Sequence, residues 1–127
     1  MKRQAFTLVE LVMVIVILGL LAAVVTPKFT SMRTEAQSAA EEATVAAVRT
    51  GIKMVHMTNL AQGADTYPSL LDKAAKGDAS EKNPLFTEVI EGGLTDSNWQ
   101  KSGDNSYLYK PTKNSYTYDP KVGTFKK

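Results

Sequence analysis

A chain of 127 residues and 13.8 kDa supports one modest core burying about 65% of the unfolded surface, which argues against a multidomain enzyme. Hydrophobic residues make up 43%, charged residues 22%, and there are 8 Gly and 5 Pro, so neither a disordered tract nor a collagen-like fibre fits. The formal charge of +2 is too small to suggest nucleic acid as a partner, and the absence of cysteine removes disulfides, thiolate metal sites and thiol catalysis.

The first element is a membrane-type helix. Leu11 to Thr26 carries no charge, and Phe6 to Thr26 is long enough, at 1.5 Å per residue, to span about 30 Å of hydrocarbon. Lys2 and Arg3 precede it, so the positive-inside rule places the N-terminus in the cytoplasm and everything beyond Pro27 across the membrane. A cleaved secretory signal would need an A-x-A site, and Ala22-Ala23-Val24 is a poor one. Glu10 is the distinguishing residue, a carboxylate embedded in apolar sequence, where insertion at helix centre costs about 2.5 to 3.5 kcal/mol and a charge needs a partner. A cut just before Phe6 would create an α-ammonium in the same layer, able to pair with Glu10 of a neighbouring copy.

The string K-R-Q-A-F-T-L-V-E-L and its apolar continuation resembles the leader of type IV prepilins and type II secretion pseudopilins. The shared features are a short basic leader, Phe6 as first mature residue, Glu10 as the fifth, Gly19 within the helix, and Pro27 followed by Lys28-Phe29. V-T-P-K-F around Pro27 is similar to mannose-sensitive haemagglutinin-type pilins. Ala5 stands where the family usually has Gly, which implies slower processing. The resemblance is strong over residues 1–58 and weaker beyond. It implies cleavage between Ala5 and Phe6 by a prepilin peptidase, methylation of the Phe6 amine, and docking through Glu10. It also implies a segment from Gly19 to Pro27 that loses helical bonding on assembly.

Beyond Pro27 the helical pattern continues. Phe29, Met32, Ala36, Ala39, Ala40, Ala43, Ala46, Ala47 and Met54 recur at spacings of three and four, and Val45, Val48, Ile52 and Val55 form a second apolar flank. A near-continuous helix is expected from Phe6 to about Met57, one face of its second half covering a head domain, with Asn59 and Gly63 as stop signals. Two short helices are expected at Ser69–Lys76, before Gly77, and at Pro84–Glu91, before Gly92-Gly93. Gly77 to Asn83 reads as polar and exposed. From Ser106 the period becomes two, giving three antiparallel strands around Tyr107–Tyr109, Tyr116–Tyr118 and Val122–Phe125. Phe86, Val89, Leu94, Trp99 and one strand face would close the core.

These elements make an α+β fold, a long N-terminal helix packed on a small antiparallel β-sheet head, as in pilins. The expected organisation is a cleaved leader (1–5), a transmembrane and filament-core helix (6–27), its amphipathic half (28–58) and a globular head (59–127). No enzyme motif is present, and His56, the only histidine, reads as a packing or surface residue. Type II secretion major pseudopilins bind calcium in an acidic C-terminal loop. This tail has only Asp104 and Asp119 after Trp99, which suits turns better than a metal. Glu41-Glu42 reads as a solvated helix face, Lys126-Lys127 as a solvated tail, and the tyrosines as strand residues with their polar tips in water.

The expected function is a structural filament subunit without cofactors. It would be an inner-membrane precursor with its C-terminus outside, then part of an extracellular pilus or periplasmic filament. Its partners would be other copies of itself, the membrane, a prepilin peptidase, and inner-membrane assembly machinery with its ATPase. A type II secretion pseudopilin is the alternative within the class. An uncut, signal-anchored binding protein using the tyrosine-rich sheet is the alternative outside it.

Overall fold

The computed structural model describes residues 3–127; Met1 and Lys2 of the expected leader lie outside the described residues. The chain forms two compact units, Met1–Ala36 and Gln37–Lys127, and helix α1 spans Leu8–Ala61. In the first unit every described residue is exposed within the chain, including the apolar run from Leu11 to Val25. The helix is unbroken at Gly19 and Pro27. Pro27 denies the Ala23 carbonyl a backbone donor. Around that gap the hydroxyls of Thr26, Thr30 and Thr34 donate to the carbonyls of Ala22, Thr26 and Thr30 at 2.7, 3.2 and 3.1 Å.

In the second unit the helix buries Glu41, Val45, Val48, Gly51 and Ile52, spaced so that they share one face. Val55 is half-buried, and the alanine stripe is exposed, as the two-flank pattern predicts. The helix runs past Met57 to Ala61. It ends in a Schellman turn, in which Ala64 N–H donates to Asn59 C=O and Gly63 N–H to Leu60 C=O, both at 2.9 Å. Gly63 supplies the left-handed residue at φ 86°, the conformation that such a stop requires.

The sheet is an antiparallel meander in the order β1-β2-β3-β4-β5. Its strands are Gly77–Asp78, Trp99–Gly103, Ser106–Tyr109, Asn114–Asp119 and Thr124–Lys126. The last three match the period-two expectation. The first two were not expected, because β2 has one apolar residue and turns Lys101 inward. The Gly77–Asn83 stretch is not simply exposed either, since Ala79 is buried and its N–H donates to Trp99 C=O at 2.9 Å.

Neither short helix forms. In 69–76 the Asp72 carboxylate accepts the Ala74 N–H at 3.1 Å, a local bond that competes with helix. In 84–91 Leu85 and Leu94 bridge through both backbone groups, at 2.9 and 2.7 Å, and only one turn closes, from Ile90 N–H to Phe86 C=O at 2.8 Å. Phe86 itself sits at φ 59°, which a helix excludes. That conformation sends its ring into the core, 4.5 Å from Tyr107, 5.8 Å from Phe125 and 5.9 Å from Trp99.

Phe86, Trp99, Tyr107 and Phe125 are buried as expected, while Val89 and Leu94 are only half-buried. Tyr107, Tyr109, Tyr116 and Tyr118 all face inward. Three of the four tips do not reach water in the expected way: Tyr107 donates to Asp72, Tyr116 to Glu41 and Tyr118 to Pro68 C=O. The tyrosines therefore form core, not a surface.

A chain shortened to residues 28–127 should melt cooperatively, with Trp99→Ala costing about 3 to 5 kcal/mol in denaturant titrations. Gly51→Ala should also destabilise, by roughly 1 to 3 kcal/mol despite the better helix propensity of Ala, because a Cβ there would lie 2.0 Å from the Val89 carbonyl oxygen.

Candidate functional site

Residues 3–7, which include the expected cleavage bond Ala5–Phe6, are non-helical and exposed. The helix starts at Leu8, two residues later than expected, because Thr7 caps it. Glu10 N–H donates to the Thr7 hydroxyl at 3.2 Å, and the Glu10 carboxylate accepts the Thr7 N–H at 2.8 Å. This is a capping box, two otherwise orphaned helix donors satisfied reciprocally. The T-x-x-E signal was present in the sequence as Thr7-Leu8-Val9-Glu10, and sequence reasoning missed it. Glu10 spends Oε2 on its own chain, leaving Oε1 without a partner among the described hydrogen bonds. An ammonium at Phe6 would face the positive end of a helix dipole, which strengthens its need for a carboxylate.

Glu41 departs most from expectation. Its neighbour Glu42 is solvated, but Glu41 is only 3% exposed. It accepts hydrogen bonds from Tyr116 Oη at 2.5 Å, Thr112 Oγ1 at 2.7 Å and Asn114 Nδ2 at 2.7 Å. Burial pushes the carboxyl up. The three hydrogen bonds, helped by the Lys127 charge, outweigh it and hold the group below its ordinary range. The partners lie more than seventy positions away, so no local pattern marked this residue.

Asp72 forms a second buried centre. Its carboxylate takes Lys101 Nζ at 2.5 Å, Tyr107 Oη at 2.8 Å and the Phe86 N–H at 2.9 Å. Burial and the adjacent Asp72 charge push the Tyr107 phenol far up. Burial likewise raises Tyr118, to about 12.

His56 stacks on Tyr67 with ring centroids 4.0 Å apart and sets Nδ1 3.0 Å from Thr66 C=O, a packing role. Asp119 closes a turn by accepting the Lys121 N–H at 2.9 Å, and Asp104 is exposed. Among the residues singled out from sequence, Ala5, Phe6 and Glu10 cluster at the start of α1, whereas Gly19 and Pro27 lie farther along it.

Because the folded Glu41 carboxyl titrates below its ordinary value, its contribution to stability is present above about pH 4.3 and is lost as pH falls through the folded value. Glu41→Gln should therefore melt below wild type at pH 7, and the gap should narrow on acidification below about pH 4. Thermal melts of residues 28–127 across that range check it.

The prokaryotic N-terminal methylation motif matches residues 1–26. The type IV narrow pilus major component PilA5 of Thermus thermophilus is 35% identical over 106 residues, covering 84% of this chain and 76% of that protein. The type II secretion system core protein G of Pseudomonas aeruginosa is 31% identical over 121 residues, covering 92% of this chain and 73% of that protein. No solved structure gives a significant match. Relatives in the type IV pilus and in type II secretion are matched along most of their length, so the chain belongs to the type IV pilin and type II secretion pseudopilin family.

Proposed function

We propose that this protein is a structural subunit of a type IV pilus-like filament. It is clipped between Ala5 and Phe6, methylated at the Phe6 amine, and assembled through its N-terminal helix. The observation that carries the reading is the apolar first half of the helix, exposed within the chain, with a capped carboxylate at its head. Such a surface is satisfied in the precursor by lipid and in the assembly by the same helix from other copies. The precursor sits in the inner membrane with its C-terminus outside, and processing and extraction fall to a prepilin peptidase and an ATPase-driven machine. The subunit has a building role and no catalytic one.

Glu10 supplies the docking charge. Its free oxygen accepts the Phe6 ammonium of an adjacent subunit, which relieves two costs at one membrane depth: an unpaired carboxylate and a cation at a helix N-terminus. The weak points for extension during assembly are Gly19, through its backbone entropy, and Pro27, through its missing donor. A second reading, a pseudopilin whose filament acts in protein export, is favoured by the likeness to core protein G. The higher identity to PilA5 supports the first.

Mass spectrometry of the mature protein should find a methylated Phe6 at the N-terminus. Loss of Lys2 and Arg3 from the 15 basic residues leaves 13, equal to the 13 acidic ones. An N-terminus at Met1 or beyond Ala22 would sink the reading.

Glu10→Gln isolates the charge, because Gln also serves at the third position of a capping box and leaves the helix start intact. The variant should insert and be cleaved normally, yet yield few or no sheared filaments. Normal filament yield would show that the carboxylate is not the docking group.

A further inference from the structure

The unit Gln37–Lys127 carries two open grooves, one on each side of the buried helix stripe. At about 100° per residue, Arg49 and Lys53 lie on one flank of that stripe and Gly51 and Met54 on the other. The first groove is lined by Arg49, Lys53 and the β5 residues Thr124 to Lys126, and continues past Glu42 to Lys127. Its floor is fixed, since Arg49 Nε donates to the Phe125 carbonyl at 2.9 Å. The second groove lies between Gly51, Met54, Thr58 and the turn Thr87–Glu91. Its charges are Glu88 and Glu91, and the hollow that adjoins it beyond Glu88 adds Lys73.

A near-neutral chain thus carries opposite charge on opposite flanks of one helix. The three ion pairs among the described residues are His56–Asp65, Asp72–Lys101 and Asp78–Lys110. Lys53, Lys126, Lys127, Glu88 and Glu91 take part in none of them, and all five are exposed. The acidic flank also holds Met54 at 64% exposure, which gives it an apolar centre with a charged rim, as in protein interfaces.

We propose that the occupant of each groove is a second copy of this chain, the basic flank of one head against the acidic turn of the next. Two different surfaces meeting head to tail make a heterologous contact, which propagates as an open helical array when it does not close into a ring. An isologous dimer through either groove alone would set like charge against like. The inference rests on the filament reading and adds to it the contact that sets register between heads. Helix packing supplies most of the cohesion, and the rim charges fix orientation and reject wrong registers.

The test uses the full chain and compares cleaved protein in membranes with protein in sheared filaments. Lys53→Glu and Glu91→Lys should each lower filament yield by about tenfold, and the double variant should return it to within about twofold of wild type, as restored charge complementarity requires. Single variants at wild-type yield, or a double variant no better than the singles, would overturn the contact. A separate measurement uses the absence of cysteine: filaments carrying Lys53→Cys with Glu91→Cys should give a ladder of disulfide-linked oligomers on oxidation, and monomer alone would overturn it. A wild type that is cleaved but never found in filaments would instead overturn the filament reading, and the head contact with it.

Discussion

Between Ala61 and Trp99 the only regular element is a strand of two residues, and the placement of this long connection depends on the carboxylate of Asp72. That one group binds the connection to itself through the Ala74 and Phe86 amides and to the sheet through Lys101 and Tyr107. Three of these partners carry a liability that the bond offsets. Lys101 is an inward cation, Tyr107 a buried phenol, and Phe86 a bulky residue at positive φ, a strained conformation that costs on the order of 1–3 kcal/mol. With four donors around one anion, the desolvation cost of the buried ion pair is offset by hydrogen bonds at every available lone pair. The aromatic cluster of Phe86, Trp99, Tyr107 and Phe125 then closes over a connection that has little secondary structure of its own.

The parts legible in the sequence are those whose cause is local. The long helix follows from spacing, with Gly63 as its stop, although the pattern placed it at Phe6 to about Met57 and the chain forms it over Leu8–Ala61. Strands β3 to β5 follow from alternation, because their inward residues are aromatic and their outward ones polar. The failures share one cause, polar residues serving in the core. Lys101 interrupts the apolar alternation that would have marked β2, and Asp72 and Leu71 lie side by side in a segment whose composition favours helix. Glu41 reads as solvated because its three partners are supplied by residues 112–116. At the candidate site, Glu10 stands out in the sequence as a charge in an apolar run and Ala5 and Phe6 only through the family resemblance, whereas the hydrogen bonds that hold Glu10 in its own chain needed coordinates, although T-x-x-E announces them.

The chain therefore uses three carboxylates in three different surroundings. Asp72 is paired with a lysine, Glu41 accepts hydrogen bonds from three uncharged side chains, and Glu10 accepts one from a single backbone amide in a segment that its own chain leaves bare. The first two are buried and have three or four partners each, and such groups hold a fold together. The third has one, and a carboxylate kept half-satisfied at the head of an apolar helix suits a contact that is to be made later. Family membership through both PilA5 and core protein G is in keeping with this division of labour: a closed, self-sufficient head, and a helix whose partners lie outside the chain.

The closed ring of bonds around Glu41 also governs the azimuth of the helix. Apolar residues tolerate small rotations and slips, since Val, Ile and Leu side chains trade contacts at little cost. A carboxylate with three fixed donors does not: turning the helix by one residue, or sliding it by one 5.4 Å turn, would strand the charge inside the core. The alanine stripe from Ala39 to Ala47 is thereby presented at one angular phase relative to the sheet in every copy. In a polymer built by repeating one step many times, an angular error in the subunit would accumulate along the axis, and the hydrogen bonds of Glu41 hold that angle within the single chain.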